Sequence, residues 1–402
     1  MAFFHNRAVN LINLHSVIGS VALGGGGAFY SVYLLKAGLS VPVVLLTLAA
    51  TFALRLLLRV FLLSLAIRVG LRWTVIIGTM LMAISFPFLI GVDGVGWGLL
   101  WLVLTSALAD TIYWPSFHAY FAALGDAEHR GQQLGIQVAA ASILGIVSPL
   151  AAGWLLVGFG ASAAFWTTAG VQALAAVPLI WTPDIVIARR QPGAFRAALS
   201  GVMLFVGDGW VAAGYFIVWQ IALFLALGQS YMAFGGALAI AALVGAISGL
   251  LLGRLIDSGG GRRAVWLSVS LIAAVIALRA AVLGHPALAV TANALGALVG
   301  ATYVPTLMTA VYNQAKRSPC VLRFHIAAEG GWDIGVTTGL SLAALLVWLG
   351  YPIAYGILIS LVGVTTVFTL LQRYYAGHSA EMIDTTLGVG ELPPQLGELP
   401  KI

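Results

Sequence analysis

The sequence predicts an all-α membrane protein, with twelve transmembrane helices in two six-helix pseudo-symmetric halves. Three observations predict it: an apolar composition, a recurrent span length and an internal repeat. Hydrophobic residues make up 61% of the 402 residues and charged residues only 8%, with a mean hydropathy of +1.03. Soluble domains carry about 25% charged residues, so lipid rather than water is the main solvent of this chain. Apolar stretches recur at lengths near the roughly 20 residues that cross about 30 Å of hydrocarbon. Sliding one half on the other by 190 positions aligns Tyr113-Trp114-Pro115-Ser116 with Tyr303-Val304-Pro305-Thr306, Gly145 with Gly335 and Gly24 with Gly214.

The first apolar stretch, Val9 to Leu35, is too long for a signal-peptide core and lacks a cleavage site, so it reads as the first span, 10–35. Its Gly24-Gly25-Gly26-Gly27 run permits bending and close backbone approach, and no Lys-Ser/Thr follows it to make a phosphate loop. Further spans are expected at 41–66, 73–92, 97–124, 131–158 and 161–182. A polar connection from Pro183 to about Leu199, with Asp184, Arg189, Arg190 and Arg196, then divides the chain. The second set lies at 199–227, 229–256, 264–284, 286–314, 322–349 and 351–372. The organisation is therefore an N-terminal half over 1–183, a cytoplasmic linker over 184–198, a C-terminal half over 199–375 and a disordered tail over 376–402.

An even span count puts both termini on one side, and the loops on that side hold fifteen of the nineteen Lys and Arg residues. Lys36 alone lies in the opposite loops, while Arg55, Arg59 and Arg279 fall inside spans. Both termini are thus expected in the cytoplasm of a plasma or bacterial inner membrane. The formal charge of +6 is an orientation signal of this kind, not a nucleic-acid footprint. The single cysteine, Cys320, excludes an intrachain disulfide and a cysteine-cluster metal site. No cofactor is expected, and the chain reads as a monomer.

The short loop Gly253-Arg254-Leu255-Ile256-Asp257, leading to Arg262-Arg263, falls by the same offset on Ile67-Arg68-Val69-Gly70-Leu71-Arg72. With these motifs the layout resembles the major facilitator superfamily across residues 8 to 375. Gly253, Asp257, Arg262 and Arg263 are similar to that family's conformational loop signature. The first copy keeps Arg68 and Arg72 but has Ile67 where the signature has Asp. In span five, Gly145, Ser148-Pro149 and Ala152-Gly153 resemble the family's antiporter motif, with Ser and Ala replacing two glycines. The resemblance implies a six-plus-six bundle that rocks about a central site to give alternating access.

Charge inside hydrocarbon costs roughly 2.5 to 3.5 kcal/mol per residue, so each buried ionisable group needs a partner or an aqueous cavity. Arg55 and Arg59 in span two are four apart, as are His325, Glu329 and Asp333 in span eleven, so each set forms a stripe. From the linker-side membrane face, Arg59 and Glu329 are about 12 and 10 Å deep, and Arg55 and Asp333 about 18 and 16 Å. The resemblance implies that spans two and eleven face each other, so Arg59 is expected to pair with Glu329 and Arg55 with Asp333. Such pairs serve gating or proton coupling, stay static as structural pairs, or leave the arginines to bind substrate.

Asp110, at mid-membrane in span four, is the next proton-site candidate, with hydrogen bonding to a neighbouring helix as its structural alternative. Asp208, among Gly207, Gly209 and Gly214, belongs to a cavity or to helix packing. Tyr30, Tyr33, Trp114, His118, Tyr215, Trp219, Gln220, Tyr303 and Trp332 would supply aromatic and hydrogen-bonding surface to a substrate cavity, and several serve equally as interface anchors. His325 with Glu329 lacks established metal spacing, so no metal site is expected. The functional expectation is a secondary transporter of a small organic solute coupled to protons. Its partners are that solute, protons and membrane lipid. A lipid or amphiphile translocator and a proton-antiport drug exporter are the alternatives, and a membrane enzyme lacks a nucleophile-base constellation.

Overall fold

The computed structural model describes residues 6–124, 130–256 and 261–387, and side chains in all of these except 130–142, 249–256, 261, 301 and 377–387. Regular structure among the described residues is entirely helical. In chain order the long elements are α1 (Arg7–Lys36), α2 (Val41–Val69), α3 (Leu71–Gly91), α4 (Trp97–Leu124), α5 (Arg130–Gly158) and α6 (Gly160–Trp181). After the polar connection come α7 (Leu199–Ala226), α8 (Tyr231–Ile256), α9 (Gly261–Ala281), α10 (Pro286–Arg317), α11 (Val321–Trp348) and α12 (Ile353–Ala376). Among the described residues, ten helices are long and apolar enough to cross a membrane. The two outside that count are α4, whose apolar run is diluted by Asp110, Trp114, Ser116 and His118, and α5, of which Ile143–Gly158 is the stretch with described side chains. Helix continues past α12 as far as Leu387, through the first part of the expected disordered tail.

Glycine sets several close approaches. The α1 helix breaks at Gly25 and makes a tight turn over Gly26–Phe29 before resuming at Tyr30. A Cβ at Gly26 would lie 2.1 Å from Thr168 Oγ1, so the break lets α1 press onto α6. The most extensive contacts between the first six and last six helices are α5 with α8 and α2 with α11. On the α5–α8 seam, a Cβ at Gly153 would approach the Tyr231 carbonyl at 3.0 Å, and one at Gly235 the Pro149 carbonyl at 2.6 Å. The small residues of the span-five motif thus form a smooth seam between helices of opposite chain halves.

Gly70 adopts φ +84°, a left-handed conformation that ends α2 and starts α3 at once. Asp184 of the polar connection packs against it and accepts hydrogen bonds from the Arg72 and Ile185 backbone N–H groups at 3.0 and 2.8 Å. A carboxylate therefore reaches the first loop from 112 residues away, in a loop where Ile67 departs from the signature. Arg72 Nη1 donates to the Thr182 carbonyl at 3.0 Å. Arg323 of α11 donates to the carbonyls of Ala188 and Arg189, both at 2.9 Å, so the connection is tied to both chain halves. Asp257 lies outside the described residues, and Gly253 falls in the stretch of α8 whose side chains are not described. Arg68 is exposed, and Arg262 exchanges hydrogen bonds with Gln372 on the neighbouring helix at 3.2 Å.

Candidate functional site

Charge that cannot reach water needs a compensating partner, and at the α2–α11 interface that partner is opposite charge. Arg55, Arg59, Glu329 and Asp333 are 2%, 5%, 5% and 0% exposed. Arg55 Nε donates to Asp333 Oδ1, which its Nη2 also contacts. Arg59 Nε donates to the other oxygen of the same carboxylate, Asp333 Oδ2, at 2.6 Å. Glu329 Oε2 stands 3.8 Å from an Nη2 of each arginine. The expected pairings of Arg55 with Asp333 and of Arg59 with Glu329 are both present as ion pairs, and the hydrogen bond of Arg59 goes to Asp333.

The reason is the direction in which helical side chains lean, towards the N-terminus of their own helix. The α2 helix runs from the end of the bundle bearing Lys36 to the end bearing the connection, so the Arg59 side chain leans to the level of Arg55 and Asp333. The α11 helix runs the other way, so Glu329 leans towards the connection and away from Asp333. There its Oε1 lies 3.6 Å from His118 Nε2. His118 Nδ1 meets the Tyr312 hydroxyl at 3.0 Å, and its ring stacks on His325 at 5.7 Å between centroids. His325 is fully buried, and neither ring nitrogen has a hydrogen-bond partner among the described residues.

A second branch leaves the cluster through Trp332. The Arg55 guanidinium lies over the Trp332 and Phe52 rings at 5.0 and 5.1 Å. Trp332 Nε1 donates to Asp208 Oδ2 at 3.1 Å, and the Tyr303 hydroxyl donates to Asp208 Oδ1 at 2.7 Å. Asp110 lies near Trp114, one helical turn on, and in the field of Arg55. Tyr30 closes this edge, its hydroxyl 3.4 Å from Ser106 Oγ. Two guanidinium groups are thus associated with four carboxyl groups, Asp110, Asp208, Glu329 and Asp333. Both terminal nitrogens of Arg59 lack a hydrogen-bond acceptor among the described residues.

Sequence reasoning overlooked Tyr312, Phe52 and Thr111, whose hydroxyl donates to the Arg55 carbonyl at 3.2 Å and ties α4 to α2. Tyr312 lies two helical turns beyond Pro305 on one face of α10, a signal that periodicity alone could have supplied. Other cavity candidates lie elsewhere. Tyr33 lines a cavity at the Lys36 end. Gln220 is half-buried on α7 next to Trp219. Tyr215 and Trp219 hold Arg279, which is 4% exposed and which no carboxylate pairs among the described residues. Its guanidinium lies over both rings, at 4.2 and 4.7 Å, and Nη1 donates to the Tyr215 carbonyl at 2.7 Å. That carbonyl belongs to a turn of π-helix over Ala213–Val218, a conformation that shifts the regular backbone bonding. The Tyr215 hydroxyl donates to Gly296 O at 2.8 Å and Trp219 Nε1 to Asn293 Oδ1 at 2.9 Å. Among the described residues no group of three or more His, Cys, Asp or Glu side chains is arranged to hold a metal ion.

Comparison with known proteins gives this arrangement a family. No curated protein matches the chain by sequence. Many solved structures do match it in shape, and one is the crystal structure of the human organic anion transporter MFSD10 (TETRAN). That structure is 16% identical, aligns over 91% of this chain and 99% of its own, and gives a TM-score of 0.65, a likeness of fold. The sequence profile of the Major Facilitator Superfamily matches residues 16–322. With that match and its ten apolar helices, the chain is an integral, multi-pass membrane protein and belongs to the major facilitator superfamily of transporters.

Proposed function

We propose that the chain is a secondary active transporter that moves a small organic anion by alternating access, coupled to protons. In this reading α1–α12 all cross the membrane as two six-helix bundles, with both termini and the polar connection in the cytoplasm. The chain carries no cofactor and performs no catalysis. The observation that carries the reading is the buried joint in which Asp333 of α11 bridges Arg55 and Arg59 of α2. An ion pair within one bundle would be indifferent to rocking of the bundles, whereas this one crosses between them.

The joint supports coupling because it competes with both transported species. A carboxylate solute can displace Asp333 from Arg59, whose terminal nitrogens have donor capacity to spare. A proton on Asp333 or Glu329 weakens the same joint from the other side. Either event shifts the balance between states only by its differential affinity for them, and here that difference is built from charge. Asp110 and Asp208 complete a set of carboxyl groups able to carry the proton.

Reconstitution into liposomes tests this. Uptake of radiolabelled aryl and alkyl carboxylates should rise when a proton gradient is imposed and collapse with a protonophore. Flux indifferent to the gradient would remove the coupling. Transport of neutral amide analogues at equal rates would remove the anion.

A further inference from the structure

A cavity of about 490 Å³ opens at the Lys36 end of the bundle, remote from the Asp333 joint. We propose that it is a recognition site for an amphipathic organic anion, with the anionic group on Lys36 and the apolar body against Val92 and Val157. The proposal deepens the function proposed above and rests on its anionic class of solute.

The walls come from both chain halves. Tyr33, Lys36 and Ala37 end α1, Val92 follows α3 and Val157 lies on α5, while Gln229, Ser230 and Tyr231 form the turn from α7 into α8. The volume falls within the range of roughly 300 to 1,000 Å³ usual for small-molecule sites. The chemistry is that of an anion site, with one ammonium, three hydroxyls and a carboxamide and no carboxylate among the lining residues.

Lys36 is the one basic residue in the turns at this end, where the membrane orientation bias works against it. It is exposed and joins no ion pair among the described residues. The two tyrosines are held rather than free. Tyr33 meets Phe165 edge-on at 4.8 Å, and Tyr231 stacks on Phe224 at 5.7 Å and meets Phe29 at 5.9 Å. Gln229 is the one non-glycine residue at positive φ among the described residues, at +57°, and its N–H is fixed to the Phe224 carbonyl at 2.9 Å. These constraints preorganise the rim before a ligand arrives, which lowers the ordering cost of binding. Because the walls belong to opposite chain halves, the site is complete only while this end is closed.

The test uses the full chain in lipid nanodiscs, with Ser230→Cys in a Cys320→Ser background and a membrane-impermeant maleimide. The probes are 2-naphthoate and its neutral amide. Naphthoate should slow labelling at least fivefold and saturably, naphthamide should not, and Lys36→Gln should abolish the protection. In flux assays Lys36→Gln should raise KM for naphthoate at least fivefold with kcat within twofold. Fluorescence titration of naphthoate on the chain with native Ser230 and Cys320, against Lys36→Gln, gives the same comparison without the cysteine. Glu329→Gln separates the two readings, because it should remove the acceleration of flux by a proton gradient and leave the protection intact. Equal protection by naphthamide, protection that survives Lys36→Gln, or none at concentrations that saturate flux would each overturn the site.

Discussion

Two of the places where this bundle buries arginine satisfy it by opposite means. Arg55 and Arg59 meet a carboxylate that arrives on another chain half, at the α2–α11 interface. Arg279 meets two aromatic faces and a main-chain carbonyl, all contributed by α7 within its own half. The first arrangement can be undone by a proton or by a competing anion, since its acceptor titrates and its donors have other partners to take. The second has no titrating acceptor at its contacts, because a ring face and a peptide oxygen keep their character across the working pH range. A fold that needed only to neutralise charge could have used the second device twice. Under the alternating-access cycle proposed above, the contrast assigns motion to one station and rigidity to the other.

The strongest way to break this comparison is Asp333→Asn, which leaves two buried guanidinium groups facing a neutral amide. Removing one member of a buried pair costs about 3–5 kcal/mol, so flux should fall more than 100-fold and the Tm of the purified protein should drop clearly. Wild-type flux in that variant would dissolve the distinction. Next in size, Glu329→Gln should leave the fold and anion counterflow within threefold of wild type while removing acceleration by a proton gradient. A gradient response that persists would transfer the coupling role to another carboxyl group.

At the fixed station the expected effects are smaller. Arg279→Met should lower stability by about 1–2 kcal/mol through lost cation–π contact, read as a modest Tm decrease, with flux and its pH profile within twofold. Loss of flux at unchanged stability would show that this arginine also works. The smallest effect sharpens the picture further. A Cβ at Gly296 would lie 2.0 Å from Arg279 Nη2, so Gly296→Ala should destabilise the wild type but add little once Arg279 is already Met. Full additivity in that double-mutant cycle, read by thermal unfolding, would contradict the contact.

Much of the moving station was legible in the sequence. Charges at four-residue spacing on two apolar spans, at matched depths, identified Arg55, Arg59, Glu329 and Asp333 before any coordinates. The lean of side chains on antiparallel helices adds Asp333 to the partners of Arg59 and His118 to those of Glu329, which depth alone does not reveal. The fixed station was nearly invisible. Arg279 has no nearby acid in the chain, and Tyr215 and Trp219 read as cavity lining because an aromatic pattern does not reveal which cation it covers. Asp184 was legible as a linker residue but not as the cap of α3, since only tertiary structure brings it 112 residues back to Arg72.

The α7–α11 contact carries a mechanical consequence. Cβ atoms at Gly331 and Gly335 would lie 2.4 and 2.2 Å from the carbonyls of Val202 and Val206, and one at Gly209 would lie 2.3 Å from that of Trp332. Backbones this close cannot slide past each other without collision, so the two helices travel as a single beam. Glu329, Asp333 and Trp332 ride one edge of it, with Asp208 on the adjoining edge. In the proposed alternating-access cycle, withdrawal of the beam from α2 would therefore release both arginines together, as a latch with two positions and no halfway rest.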